Sequence, residues 1–113
     1  MDPDHARELL ARERARIEKQ LARLERARSD ELADYDQHPA DEGTETFEQE
    51  RDEGISDQLR DELDAIERAE HRVADGTYGV SVVSGRPIPD GRLEAIPWAE
   101  RTEDEEEQRG PSP

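Results

Sequence analysis

The sequence contains no cysteine, so it can form neither a disulfide nor a thiolate zinc site. Large apolar side chains are also scarce, with one Trp, one Phe and two Tyr among 113 residues, of which 30% are hydrophobic. No apolar run approaches the roughly 20 residues that a membrane-spanning helix needs. The N-terminus lacks the basic and apolar regions of a signal peptide. We therefore expect a soluble, cytoplasmic protein without a membrane partner.

The charge is strongly acidic. Charged residues make up 42% of the chain, and the net charge is −16. Such a surface repels phosphate, so direct binding of nucleic acid is not expected. It suits a basic protein partner or a basic channel, while solubility alone explains it equally well. So few apolar residues favour a long helical hairpin or partial disorder over a thick core.

The first third of the sequence has the pattern of a long charged helix. Asp2 and Pro3 suit its start, and residues 5–33 contain no Gly or Pro. Its apolar residues follow spacings typical of one narrow coiled-coil stripe. These are Leu10, Ile17, Leu21, Leu24 and, further on, Leu32.

A turn-rich segment, residues 34–44, interrupts this pattern, and Pro39 disfavours helix at His38. A second charged helix is predicted from about Thr44 to Ala74. Its apolar positions are Phe47, Ile55, Leu59, Leu63, Ile66 and Val73. We predict that residues 1–74 form an antiparallel two-helix coiled-coil hairpin with its tip at 34–44. The stripe alone leaves pairing between two chains open, although we expect a monomer.

The predicted tip is rich in carboxylates, namely those of Asp34, Asp36, Asp41 and Glu42. Aspartates commonly cap helices and favour turns, and for Asp41 capping is a good explanation. The functional interpretation is that the tip presents negative charge to a basic or metal-bearing site in a partner. Spacing alone does not separate the two interpretations.

Residues 75–101 are predicted to form a small separate module. Gly76 is a suitable left-handed cap for the second helix. Residues 78–83 are β-prone, residues 85–91 are turn-rich, and residues 92–96 can form a short helical turn. The only tryptophan, Trp98, is expected to pack on this module. Residues 102–113 are predicted to be an acidic, disordered tail.

The loop 76–89 has the shape of a metal knuckle without its usual ligands, because Ser81 and Ser84 stand where a zinc module would carry Cys-x-x-Cys. None of the three histidines has a second ligand at metal spacing. Neither serine lies in a G-x-S-x-G context, and the glycines are too dispersed to cradle a phosphate. We therefore expect no enzyme activity, no catalytic residue, no bound metal and no cofactor.

Two stretches resemble the DksA/TraR family of bacterial transcription regulators, especially its Gram-positive-type branch. One is the tip, Asp36-Gln37-His38-Pro39-Ala40-Asp41-Glu42-Gly43-Thr44-Glu45. The other is the module, with Asp75-Gly76-Thr77-Tyr78-Gly79-Val80, Gly85-Arg86-Pro87-Ile88-Pro89 and Arg92-Leu93-Glu94-Ala95-Ile96-Pro97-Trp98. The similarity covers about residues 5–102.

The resemblance implies a regulator that binds RNA polymerase and inserts its coiled-coil tip into the secondary channel. The family's tip motif has Asp, a second Asp three positions later, and then Ala. Asp41 matches the second Asp and Gly43 falls on the Ala, whereas His38 stands at the first Asp, for which Asp36 could substitute. The alternative is a degenerate scaffold that acts as a protein-interaction module for another partner.

The resemblance also implies two Cys-x-x-Cys pairs in a zinc module. Here they fall on Ser81 and Ser84 and on Thr102 and Glu105, so the zinc ligands are absent. A zinc-finger-like module without zinc must then fold by apolar packing or stay loosely ordered. The packing residues would be Tyr78, Val80, Val82, Ile88, Leu93, Ile96 and Trp98. We expect the part after Arg101 to be frayed, because it has lost its anchor.

Overall fold

The computed structural model describes the backbone of residues 1–35 and 42–109 and the side chains of residues 1–29 and 53–109. In chain order the helices are α1 (Pro3–Tyr35), α2 (Glu42–Asp75), α3 (Asp90–Ala95) and α4 (Glu103–Arg109). Within these ranges no segment forms a strand, and Val80 and Pro87 make an isolated antiparallel bridge. The predicted mainly α fold is confirmed. Over the same ranges, every helix is too short or too polar to cross a membrane.

The two long helices begin and end close to the predicted residues. The Asp2 carboxylate accepts the backbone N–H of His5 at 3.2 Å, as expected of the residue that caps α1. Helix α1 continues to Tyr35, so it includes Asp34, which we had assigned to the tip. Helix α2 begins at Glu42, two residues before the predicted start. The connection between the helices is therefore shorter than the predicted 34–44 segment.

The chain divides into two compact units. One contains residues 15–63, and the other contains residues 1–14 and 64–113. Within the first unit α1 and α2 run antiparallel. Glu25 pairs with Arg60 at 3.8 Å, whereas Arg28, later in α1, pairs with Glu53, earlier in α2, at 3.0 Å. These exposed ion pairs each contribute less than about 1 kcal/mol, so they set register more than stability.

Burial along the apolar stripe is uneven. Leu10, Ile17 and Ile66 are completely buried, and Leu59 is nearly so. Leu21, Leu24 and Leu63 are half-buried, and Ile55 is exposed. The spacing therefore predicted the buried face correctly at its best-packed positions. Leu32 and Phe47 belong to the segment whose side chains are not described.

The second unit contains most of the buried apolar side chains. They come from α1, from α2 and from the segment after α2: Ala6, Leu10, Ala65, Ile66, Ala69, Val73, Ile88 and Leu93. Three of them are alanines, whose small side chains allow helix backbones to approach closely. The half-buried Arg14 guanidinium also donates to the Glu70 carboxylate within this unit. A thin core of this kind agrees with the low apolar content of the chain.

Gly76 ends α2 as predicted. Its φ is +78°, the left-handed region that favours glycine. The Thr77 N–H donates to the Arg72 carbonyl at 2.9 Å, and the Gly76 N–H donates to the Val73 carbonyl at 3.4 Å. This pair of bonds is a Schellman motif, which satisfies carbonyls at the helix end and turns the chain out of the helix axis.

The β-prone segment 78–83 forms a turn rather than a strand, and two of its expected core residues are exposed. Val80 is 39% exposed and Val82 is 50% exposed, whereas Ser81 between them is 4% exposed. Ser81 is buried between two exposed valines because its hydroxyl has hydrogen-bond partners within the turn. The expectation that Val80 and Val82 pack in the module is therefore wrong. Ile88 and Leu93 are buried as expected, and α3 is close to the predicted short helical turn.

The expectation of a frayed, disordered tail is wrong for residues 103–109, which form α4. None of the residues of α4 is apolar, so hydrophobic periodicity gave no sign of this helix. At its start Glu105 makes hydrogen bonds with Thr102. Residues 110–113, the rest of the predicted tail, lie outside the described residues.

Gly54 in α2 and Gly76, which follows α2, provide a stability test with opposite signs. Gly76→Ala should destabilise the protein by about 1 kcal/mol, because alanine resists a positive φ. Gly54→Ala should stabilise it by up to about 1 kcal/mol, since alanine is the better helix former. An added methyl group meets no atom within 4 Å at either position, so the comparison isolates the backbone. Urea denaturation followed by circular dichroism measures both, and equal shifts would contradict the assignment of Gly76 as the cap.

Candidate functional site

The structure describes only some of the predicted tip residues. Asp36, His38 and Asp41 lie outside the described residues. Gly43 lies in the first turn of α2. The polymerase-facing site therefore stays a prediction. The second predicted constellation, at the former metal positions, is described in full.

Ser81 and Ser84 lie in a tight turn between the two segments joined by the Val80–Pro87 bridge. The Ser81 hydroxyl oxygen accepts the backbone N–H groups of Val83 at 3.1 Å and Ser84 at 3.3 Å. The turn is closed by the Ser81 N–H donating to the Arg86 carbonyl at 2.8 Å. Both acceptor positions of Ser81 are thereby used, and its hydroxyl proton is left to donate elsewhere.

Thr102 and Glu105 form a capping box at the start of α4. The Thr102 N–H donates to Glu105 Oε1 at 2.9 Å, and the Glu105 N–H donates back to Thr102 Oγ1 at 3.3 Å. The Thr102 hydroxyl also lies 3.0 Å from Glu105 Oε1. This reciprocal arrangement satisfies donors that a helix start would otherwise leave unpaired. A negative side chain is also favoured here by the helix dipole.

The Glu105 carboxylate joins the two pairs. It accepts hydrogen bonds from the N–H and hydroxyl of Thr102, and hydrogen bonding to the hydroxyls of Ser81 and Ser84 contributes to its low pKa. Its side chain is 8% exposed, and the Arg86 guanidinium lies 3.8 Å away. The Ser81 hydrogen bond, followed by those from Thr102 and Ser84, lowers the pKa of Glu105 from 4.5 to about 2. All four predicted degenerate metal positions are thus in one hydrogen-bonded cluster, which we call the hydroxyl–carboxylate cluster.

A zinc ion does not fit this donor set. Structural zinc sites are built from thiolates, imidazoles and carboxylates, and here three of the four positions carry neutral hydroxyls. Hydrogen bonding to these hydroxyls also lowers the pKa of the Glu105 carboxylate. Across the part of the chain that the structure describes, no group of three or more His, Asp or Glu side chains is arranged to hold a metal. The cluster is therefore a polar contact rather than a metal centre.

A second carboxylate fixes the chain just before α4. Arg68 and Arg72, one turn apart in α2, both donate to the Glu100 side chain. The hydrogen bond from Arg68, then that from Arg72, lowers the pKa of Glu100 below its usual value despite its burial. The Glu100 carbonyl accepts the Val82 N–H at 2.9 Å, and Arg92 Nε donates to the Arg101 carbonyl at 2.9 Å. These contacts bring the segment before Thr102 alongside the serine turn.

Other polar contacts attach the start of α1 to α3. His5 Nε2 lies 2.6 Å from a Glu94 carboxylate oxygen, and the Met1 ammonium lies 3.3 Å from the Asp90 carboxylate. The Tyr78 hydroxyl donates to the Pro97 carbonyl at 2.8 Å. Burial, with the nearby charges of Glu94 and Asp90, raises the pKa of Tyr78 to about 12. Each contact uses a polar group to position the chain, and none of them has the arrangement of a nucleophile and base.

One local signal could have predicted the ordered end of the chain. Thr-x-x-Glu at 102–105 is a capping-box pattern, which marks a helix start. No local sequence pattern predicted that Arg68 and Arg72 donate to Glu100, or that Glu105 interacts with the two serines. These contacts join residues about 20 to 30 positions apart, and the sequence offers many alternative Arg–Glu pairs.

The described residues form two long helices, followed by a turn-rich module that contains two short helices. This arrangement can be compared with solved structures. The solved structure of transcription factor DksA2 from Pseudomonas aeruginosa is similar, with a TM-score of 0.71 and 27% sequence identity, covering 95% of this chain and 81% of that one. The chain therefore has the DksA-like fold that the sequence resemblance implied. The RNA polymerase binding protein and transcriptional regulator Dks from Chlamydia trachomatis gives a TM-score of 0.45 and 24% identity over 90% of this chain and 87% of that one.

Two curated proteins of Bacillus subtilis (strain 168) are also similar in sequence. The uncharacterised protein YteA is 45% identical over 69 residues, and general stress protein 16O is 40% identical over 67 residues. The matches cover 61% and 59% of this chain, but only 29% and 41% of those proteins. The chain thus matches less than half the length of either relative. No protein-family model matches it.

Glu105 gives the protein a predicted acid sensitivity. Its pKa is lower in the folded protein, so its stabilising effect is present above pH 4.5 and is lost as the pH falls towards 2. The stability of the wild type minus that of Glu105→Gln should therefore be positive near pH 6 and shrink towards zero near pH 2. Urea denaturation at several pH values measures this difference.

The matched control is Glu107→Gln, which removes the same charge from an exposed position in α4. Its stability difference from the wild type should be small and show no comparable loss between pH 4.5 and 2. A pH profile for Glu105→Gln that matches the control would contradict the role assigned to the Glu105 carboxylate.

Proposed function

We propose that this chain is a transcription regulator that binds RNA polymerase, inserts the tip at residues 34–44 into the secondary channel, and requires no structural zinc. The observation that carries the proposal is the fold match to transcription factor DksA2 along nearly the whole chain. The resemblance of the tip and module sequences supports the same function. We further propose that the protein acts in the cytoplasm without catalysis and without direct contact to nucleic acid.

The charge distribution supports a basic binding site in the partner. The net charge of −16 disfavours phosphate, and it increases the rate of encounter with a positively charged channel. Asp36 and Asp41 would present carboxylates near the polymerase active site, with His38 and Gly43 completing the tip. Asp41 is the residue on which the proposed activity depends most, because it matches the family pattern and His38 does not.

The alternative is that the scaffold binds a different protein. It is favoured by the departure at His38, which replaces a carboxylate with an imidazole at the tip. The curated relatives are also much longer than the matched region, so the surrounding protein can differ in function. Direct binding to purified core RNA polymerase separates the two candidates, since only the first requires it.

Asp41→Asn tests the tip mechanism. The change removes one charge with little change of size, so binding to core RNA polymerase should be retained largely through the rest of the chain. The effect on promoter output should fall about tenfold, corresponding to about 1.4 kcal/mol of lost interaction at the polymerase site. Fluorescence anisotropy measures binding, and in vitro transcription measures output.

Asp57→Asn is the matched control for charge, because Asp57 is an exposed aspartate of α2 whose contact is with Arg60 at 3.7 Å. It should leave both binding and output unchanged. If Asp41→Asn also leaves both unchanged, the tip mechanism is wrong. If the wild type fails to bind the polymerase, the alternative function is favoured.

The apolar stripe is expected to pair within one chain. Light scattering should therefore give a mass near 12.9 kDa, the mass of one chain. A mass near twice this value over a range of concentrations would instead indicate pairing between two chains.

A further inference from the structure

We propose that the Glu105 carboxylate takes the structural place of a metal, joining the serine turn to α4 through its hydrogen bonds with Thr102 and its position beside Arg86, which donates to Ser84. This inference concerns folding of the module and does not depend on RNA polymerase binding. The module would then fold without a metal supply and without thiol chemistry.

The first argument is that apolar packing does not hold α4 in place. The helix has seven residues, none of them apolar and none of them buried. An isolated helix shorter than about 12 residues is marginal in water, so α4 needs contacts with the rest of the module. Glu105 is the one residue of α4 that is not exposed, and its side chain, 8% exposed, lies 3.8 Å from Arg86 in the segment after the serine turn.

The second argument is that the hydrogen bonds match the capacity of one carboxylate. An ionised carboxylate has about four acceptor positions. Glu105 receives the hydroxyl and N–H of Thr102, and the effect of Ser81 and Ser84 on its pKa fits two further hydroxyl donors. A hydrogen bond to a charged acceptor is about twice as strong as one between neutral groups. The nearby Arg86 guanidinium offsets part of the cost of burying the charge.

The third argument concerns the two serines. Ser81 accepts two backbone N–H groups of the turn and is 4% exposed, so a polar side chain is required at this buried position. Ser84 likewise accepts the Arg86 N–H at 3.3 Å. Each serine thus stabilises its own turn with its oxygen, and its hydroxyl hydrogen remains available for a hydrogen bond to Glu105. No buried side-chain N or O atom among the described residues lacks a hydrogen-bond partner.

The test uses Trp98 as a reporter of the module. It is the only tryptophan, so its fluorescence reports the module, while circular dichroism is dominated by α1 and α2. Glu105→Ala should lower the urea midpoint of the fluorescence transition by about 1 M, as expected for losing several charge-assisted hydrogen bonds in a small protein. Glu107→Ala, the control in the same helix, should leave the midpoint unchanged.

Further variants keep the proposal testable where Glu105→Ala fails to fold. Ser84→Ala removes one hydroxyl donor and should give a smaller shift of the same sign. Combined with Glu105→Ala, it should add less than its own single effect, because the two residues share one interaction. If the module of Glu105→Ala does not fold while the helical signal of α1 and α2 remains, the proposal is also supported.

The next experiment asks whether the module needs zinc, and whether cysteines at the four cluster positions would make it need zinc. The wild type should contain no stoichiometric zinc by elemental analysis, and a chelator should not move its midpoint. Replacing all four positions by cysteine (Ser81→Cys, Ser84→Cys, Thr102→Cys and Glu105→Cys) should create a variant that binds one zinc ion and loses its module fold when chelator is added.

Three results would overturn the proposal. The first is stoichiometric zinc in the wild type, and the second is a chelator-induced shift of its midpoint. The third is an equal midpoint for Glu105→Ala and Glu107→Ala. None of these results bears on polymerase binding, which the anisotropy measurement tests separately.

Discussion

The C-terminal module depends on one nearly buried carboxylate. Glu105 completes the hydroxyl–carboxylate cluster, and the capping box that it makes with Thr102 starts α4. Hydrogen bonds are directional, so this contact sets both the position and the orientation of a helix that has no apolar face. A carboxylate can take this role because each neighbouring side chain offers a donor. The apolar contribution to the same region is small, since the buried large residues after α2 are Ile88 and Leu93.

The same principle extends to the rest of this unit. Its core is thin and built partly from alanines, while Arg68 and Arg72 clamp Glu100 at its edge. In a chain with few apolar residues, paired charges at partly buried positions supply specificity that a larger core would otherwise give. The exposed valines of the serine turn, Val82 and Val83, illustrate the priority of polar geometry over apolar burial in this module.

The residues that we propose for folding of the module differ from those that we propose for activity. The hydroxyl–carboxylate cluster that we propose for folding lies in the module, whereas the proposed polymerase contact lies around Asp41. The fold match to DksA2 extends over 95% of the chain at 27% sequence identity.

Sequence patterns alone predicted the two long helices, the buried positions Leu10, Ile17 and Ile66, and Gly76 as the residue that ends α2. These features follow from local periodicity and backbone preference, which a sequence carries directly. The sequence also placed four residues at former ligand positions, although it predicted a frayed end there. The sequence did not predict that Glu105 lies beside Arg86 after the serine turn, or that Arg68 and Arg72 both donate to Glu100. Such contacts depend on where the chain returns in space, and in so highly charged a sequence many other pairs satisfy the same local rules.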